Sequence, residues 1–439
     1  MRLSPSAAGS FRDSTQDWQS NSGSSEYAQI SQAGVVSRVG VMLSDRGDSG
    51  DTRAYRVAMV AASPFPYPQG SQVLISQLAK AMQRRGHSVR VVTYHTGEGQ
   101  APGNLEIRRI PAVPGMGRIQ AGPSWRKPLL DLLLLRELLL MVRAWRPDVV
   151  HTHNFEGLLA ALPVRRLAGV PVVHHIHNAM GMELHTYFQS RLGRWLGGNV
   201  GRWIDGTLTK SADQCIVLNE DALSYFERRG VARLRFVPPG VDYEPGQAGR
   251  ARQRLGKGPL VAYSGNLDPY QDLELLLEAF RLVADARPDA RLVLSTNAAP
   301  GEWWARADAL GLGDQVVFDR AEDFGPVRDL LAAADVAVCP RQTCLGFPIK
   351  LLNYMAAGRA IVVAEGSACG LRHLEDAWVV ENGTSEGMAA AILALLEDPA
   401  LAQRLGEQAR QRAEREHAWA RIAVDVEEVY EEMASGRRI

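Results

Sequence analysis

The 439-residue chain has no surplus of either charge: 49 Lys and Arg residues balance 49 Asp and Glu. Without a basic excess, the phosphate-neutralising contribution that dominates nucleic-acid affinity is missing, so no nucleic-acid partner is expected. Cysteine is scarce. The four, at positions 215, 339, 344 and 369, form no Cys-x-x-Cys pair. That excludes a zinc ribbon and a disulfide framework and points to a reducing, cytoplasmic compartment. No apolar run reaches the roughly 20 residues of a membrane span. The most apolar stretch, 128–142, is interrupted by Asp131, Arg136 and Glu137. The N-terminus lacks the apolar stretch of a secretory signal. Residues 1–52 are rich in Ser, Gly, Gln and Asp with little periodicity, and are expected to be a disordered tail.

What remains alternates short apolar runs with helical periodicity. Strands are predicted at 55–62, 88–93, 148–152, 171–176, 214–218, 260–264, 336–339 and 360–364. Helices are predicted at 72–85, 129–145, 273–284, 327–334 and 418–433 among others. Runs of apolar residues without alternation are the mark of strands buried on both faces of a parallel sheet. A polar, Gly-rich and charged stretch, 243–258, separates two α/β halves of similar size. The expected organisation is a tail (1–52), a first domain (53–242), a linker (243–258), a second domain (259–415) and a terminal helical segment (416–439). Two doubly wound domains place ligands at their strand ends, and the natural active site is the cleft between them.

The loop from the first strand, Ser63-Pro-Phe-Pro-Tyr-Pro-Gln-Gly70, lacks Gly-x-Gly-x-x-Gly, so a dinucleotide fingerprint is not supported. Gly70 either lets a ligand approach the backbone or serves only as a turn. The helix over 129–145 is expected against the sheet, with a surface patch for a lipid-linked substrate as the alternative. In the second half, a strand ending at Cys339 leads through Arg341 and a Gly/Pro-bearing loop into a helix stopped by Gly358. Lys350 and Asn353, three apart, share one face of that helix. A helix N-terminus flanked by two cations favours a phosphate; the alternative is a plain βαβ unit with a solvated Lys.

Six of the ten histidines lie between 151 and 185. His151/His153 and His175/His177 are two His-x-His pairs at strand ends. Residues i and i+2 share one side of a strand, so each pair could grip a metal with Glu156, Glu183 or Asp148 as a further ligand.

The ordered set of motifs resembles family 4 of the retaining glycosyltransferases, which have the GT-B fold, over residues 55–433. The carriers are Pro66–Ser71 with the helix ending Arg-Arg-Gly-His87, Asp148-Val-Val-His-Thr-His153, Val237-Pro-Pro-Gly-Val-Asp242, Tyr263-Ser-Gly-Asn-Leu267 and Ala333-Ala-Asp-Val-Ala-Val-Cys-Pro340. The resemblance implies a hexosyltransferase moving a sugar from a UDP- or GDP-sugar to a sugar or lipid-linked acceptor. It implies no metal and no cofactor, and leaves room for a peripheral contact at the inner face of the membrane. Gly70, Gly265, Asn266, Gln271, Arg341, Gly346, Lys350 and Asn353 would bind the donor. His153, Asn154 and Glu156 would lie on the acceptor side. His177 would be the catalytic histidine near the transferred sugar, and the last helix would cross back to the first domain. The family's diphosphate-binding Arg and Lys are matched here by Asn266 and Gln271, and its two glutamates by Leu345 and Asn353. Two lost charge-assisted hydrogen bonds would cost roughly 3–6 kcal/mol. Arg341 and Lys350 are the candidates to replace them. A non-catalytic sugar-nucleotide-binding protein, a metal-dependent hydrolase and a sugar-nucleotide epimerase are the rival readings.

Overall fold

The computed structural model describes residues 53–67, 70–97, 103–116, 124, 126–321 and 323–436. The expected tail at 1–52 lies outside the described residues. In chain order the first half runs β1 (Arg56–Ala61), α1 (Gly70–Arg84), β2 (Ser88–Thr93), β3 (Glu106–Arg109), α2 (Lys127–Trp145), β4 (Val149–His153), α3 (Asn154–Ala168), β5 (Val172–Ile176), α4 (Met180–Glu183), α5 (Arg191–Trp203), β6 (Gln214–Val217), α6 (Glu220–Glu227) and β7 (Leu234–Phe236). The second runs α7 (Ala248–Leu255), β8 (Leu260–Ser264), α8 (Leu273–Ala286), β9 (Arg291–Thr296), α9 (Glu302–Ala309), β10 (Val316–Arg320), α10 (Phe324–Ala333), β11 (Val336–Cys339), α11 (Ile349–Ala356), β12 (Ala360–Ala364), β13 (Trp378–Val380), α12 (Ser385–Glu397), α13 (Pro399–Glu416) and α14 (Trp419–Ala434).

Two sheets result, ordered β3-β2-β1-β4-β5-β6-β7 and β10-β9-β8-β11-β12-β13. Every strand pairing within them is parallel. Both faces are covered, which is why the strands read as unbroken apolar runs. In β1, Val57, Met59 and Ala61 face a cluster with Leu74, Ile75 and Leu78 of α1 and Val426 and Tyr430 of α14. Ala58 and Val60 face α2 and α3 on the other side. The second sheet buries one face under α8 and α12. Its other face belongs to the same cluster as α1 and α14, so one apolar core runs from sheet to sheet.

The stretch expected as a linker contains α7. Its Arg252 donates to Gly258 O and Ala333 O, both at 2.6 Å, and ties the helix to the second sheet's surroundings. The last helix does return to the first sheet. Glu427 of α14 is buried and accepts from Arg85 Nε at 2.7 Å, and it also bonds the His87 ring. Helix α2 buries Leu130, Leu134, Leu138, Met141 and Val142 against the sheet, as expected.

Candidate active site

β8 ends at Ser264, whose backbone N–H donates to the Tyr354 hydroxyl at 2.8 Å. Gly265 follows with φ at +139°. A Cβ there would stand 2.9 Å from Lys350 Nζ, so the bare backbone is what admits the ammonium. Asn266 is the hub of the loop. Its amide nitrogen donates to Asp268 Oδ2 at 2.7 Å and to the Tyr270 hydroxyl at 2.6 Å, and its Oδ1 accepts from Gln271 Nε2 at 2.7 Å. Gln271 Oε1 accepts from Lys350 Nζ at 2.7 Å. The ammonium also lies 3.9 Å from the centre of the Tyr263 ring. Enclosed between ring, carboxamide and backbone, Lys350 loses hydration, and burial lowers its pKa to about 7. Arg341 rests over the Tyr270 ring at 4.8 Å while its Nε donates to Thr343 O at 2.7 Å.

Gly265, Asn266, Gln271, Lys350 and Arg341 are therefore one connected network, drawn from a loop after β8 and the segment after β11. Asn353 stands apart from it, half-buried one turn beyond Lys350 on α11. Gly70 opens α1 with φ at +22° and nothing within 4 Å of where its Cβ would be.

In the first sheet, the parallel register sets His153 of β4 beside His175 of β5. His151, His153, His175 and His177 stack along one face, with neighbouring ring centroids 4.7–5.3 Å apart. His153 Nδ1 lies 3.0 Å from His177 Nε2, and His151 Nε2 lies 3.2 Å from His175 Nδ1. The column ends on α14, where the Tyr430 hydroxyl is 2.6 Å from His151 Nδ1. All four rings are buried. Burial is the leading cause of their depressed basicity: His177 falls to about 4, His151 to about 3, and His153 and His175 well below the ordinary imidazole range. The column is thus neutral at neutral pH.

His151, His153 and His175 each offer a ligand nitrogen, and these lie within 4.8 Å of one another. Their planes, however, are within 10–28° of parallel. Lone pairs lie in the ring planes, so stacked rings do not aim three of them at one ion about 2.0–2.1 Å away. The arrangement suits a hydrogen-bonded stack better than a coordination sphere.

Of the other acceptor-side candidates, Glu156 is buried and takes a hydrogen bond from Lys127 Nζ of α2 at 2.9 Å. Asn154 opens α3 with φ at +62°.

The two sides meet at Gly346. A Cβ on it would lie 2.1 Å from both His177 O and Asn178 Oδ1. Asn219 fixes the junction: its Oδ1 caps α6 by accepting from Ala222 N at 2.7 Å, and its Nδ2 donates to Gly346 O. Leu345, where a glutamate was expected, packs against the apolar cluster of the first sheet. Asn178, Asn219, Tyr354 and Tyr430 were not legible as site residues. Of the four, only Asn219 carries a sequence signal, that of an Asn just ahead of a helix, and it points to a cap rather than to a site.

Residues 69–240 match the family model described as Glycosyl transferase 4-like domain, and residues 248–412 match Glycosyl transferases group 1. A D-inositol 3-phosphate glycosyltransferase of Segniliparus rotundus is 25% identical over 382 residues, spanning 80% of this chain and 83% of its own. A phosphatidyl-myo-inositol mannosyltransferase of Mycobacterium leprae is 28% identical over 397 residues, spanning 88% and 99%. Among solved structures, the sucrose-phosphate synthase from Thermosynechococcus elongatus shares the fold with a TM-score of 0.75 at 19% identity, covering 87% of this chain and all of that one. HepE of Anabaena, in complex with UDP, gives 0.66 at 17% identity, covering 85% and 99%.

Proposed function

The chain belongs to the family 4-type glycosyltransferases of the GT-B fold, and we propose that its donor diphosphate is held by Lys350, with Asn266, Gln271 and Arg341 around it. The activity is transfer of a sugar from a nucleotide sugar to an acceptor, and the histidine column belongs to that transferase rather than to a hydrolase. In the step itself the bond from the sugar's anomeric carbon to the diphosphate breaks. An acceptor hydroxyl oxygen bonds that carbon on the face the diphosphate leaves, with configuration retained, and its proton passes to the departing diphosphate oxygen. Negative charge grows on the departing diphosphate, and stabilising it is the main catalytic task. Lys350 and Arg341 are the cations placed for it, beside the N-terminus of α11.

His177 acts in this reading as a neutral hydrogen-bonding group toward the transferred sugar or the acceptor. With its pKa near 4, it is about three units from an effective general base at neutral pH. Asn353 serves the donor's ribose as hydrogen-bond donor and acceptor. The donor is a UDP- or GDP-sugar. HepE was solved with UDP, and the mycobacterial relative is named for transfer of mannose to phosphatidyl-myo-inositol; both support a nucleotide sugar and a sugar or lipid-linked acceptor.

The observation that carries the proposal is the contact of Gly346 with His177 and Asn178. It sets the segment that carries Arg341 and Lys350 against the end of the strand that leads into His177. A thermal-shift series with UDP-glucose and a GDP-sugar tests it. A donor at 100 times its dissociation constant stabilises the protein by about 2.7 kcal/mol. His177→Ala is expected to keep that shift and lose turnover. Full turnover in the variant would remove His177 from the mechanism.

A further inference from the structure

Helix α5, Arg-Leu-Gly-Arg-Trp-Leu-Gly-Gly-Asn-Val-Gly-Arg-Trp from Arg191 to Trp203, is built inside out. Gly197, Gly198 and Gly201 are its buried residues. A Cβ on Gly201 would lie 2.2 Å from Met180 O, and one on Gly197 would lie 2.9 Å from the Phe188 ring. The inward face is bare backbone resting on α4 and the turn after it. The large apolar side chains point the other way: Leu192, Trp195, Leu196, Val200 and Trp203 are 48–67% exposed. They recur at three- and four-residue spacing, one continuous stripe on a helix of 3.6 residues per turn. Asn199, inside the stripe, turns its amide back to Trp195 O at 2.8 Å and accepts from Arg202 at 2.9 Å. Arg191, Arg194 and Arg202 are exposed along one edge, and the helix contains no acidic residue.

We propose that this face of α5 docks on an anionic lipid surface and that the acceptor is lipid-borne. Tryptophan favours the bilayer interface, and an arginine edge complements anionic headgroups. A second copy fits worse: two-fold self-pairing would set the arginine edges together with no acid on either helix to answer them. The acceptor assignment rests on the glycosyltransferase reading; the docking does not. It draws on position, because Gly201 packs on Met180, three residues after His177. A docked α5 therefore sets the acceptor side of the cleft at the surface, within reach of a lipid headgroup.

The test is flotation of the full chain with phosphatidylcholine vesicles, with and without 30 mol% phosphatidylglycerol, alongside a donor thermal shift in vesicle-free buffer. The wild type is expected to float with the anionic vesicles and less well at high salt. Changing Arg191, Arg194 and Arg202 to Gln should weaken binding about fivefold per arginine. Trp195→Ser with Trp203→Ser should weaken it at least tenfold. All variants should keep the donor shift, which tests the transferase reading separately. Absence of wild-type flotation, or double-Ser binding equal to wild type, would overturn the proposal. So would a concentration-dependent dimer, by sedimentation, that the double-Ser variant abolishes.

Discussion

Replacing Lys350 by methionine removes the ammonium and keeps most of the stem's packing over Tyr263. A charge-assisted hydrogen bond to a phosphate contributes about 1.5–3 kcal/mol, so donor affinity should fall roughly 10- to 150-fold. The pH dependence is the sharper reading. In the free protein Lys350 titrates near 7 because it is buried. A diphosphate beside it favours the charged form, so the bound-state pKa lies higher and binding takes up a proton. Affinity is then full below about 7 and falls as pH rises above it. If the bound-state pKa lies above the range, going from pH 6.5 to 8.5 reduces the protonated fraction, and with it the affinity, by about 25-fold. Calorimetric titration with UDP-glucose and a GDP-sugar, in buffers of different ionisation enthalpy, reads both the affinity and the proton uptake. Lys350→Met should bind weakly with no such slope. Arg341→Ala should bind weakly with the slope intact. A wild-type affinity flat across the range, or an unchanged slope in Lys350→Met, would refute the argument.

Gly346→Ala places a methyl group 2.1 Å from His177 O and Asn178 Oδ1. Overpacking of this kind costs about 1–3 kcal/mol, so turnover should drop at least tenfold, and wild-type turnover in the variant would dissolve the proposed junction. The neutral histidines make the first sheet acid-sensitive: His151 and His174 titrate near 3 and His177 near 4 when folded, against about 6.5 unfolded. Their stabilisation is full above about 6.5 and is lost as pH falls toward 4. Each costs about 1.4 kcal/mol between pH 7.5 and 5.5, giving about 4 kcal/mol at most for the three. A urea midpoint equal at the two pH values would contradict this.

The buried strands were legible because nothing competes with their pattern: Leu260–Ser264, Val336–Cys339 and Ala360–Ala364 fall on the expected residues. Helix starts were less legible. Helix α10 begins at Phe324, three residues before its apolar periodicity, because the Asp323 carboxylate accepts from Gly325 N at 2.8 Å. Helix α7 hid in a polar stretch because only Ala251 and Leu255 are buried. Helix α5 misleads more deeply. The usual rule turns an apolar stripe inward, and here glycines take that face, so pattern alone assigns the wrong side to the core. The His-x-His spacing correctly put ring pairs on one side of each strand. That the pairs would stack into one column depended on the β4–β5 register and on Tyr430, 279 residues from His151.

The departures of the proposed donor site from the pattern its family resemblance implies are linked by charge. The uncharged Asn266 and Gln271 stand where that pattern has cations, and the cation proposed to replace them, Lys350, lies on α11. Lys350 spends the free state against a carboxamide and an aromatic ring rather than a carboxylate. Asn353, further along the same helix, adds no charge beside it, and burial makes the ammonium a cation that is only half-formed near pH 7 until an anion arrives. Leu345, at the other glutamate position of that pattern, packs on the first sheet's cluster, next to the Gly346 that lies against His177. With the proposed cation near half-charge at neutral pH, donor affinity should follow pH.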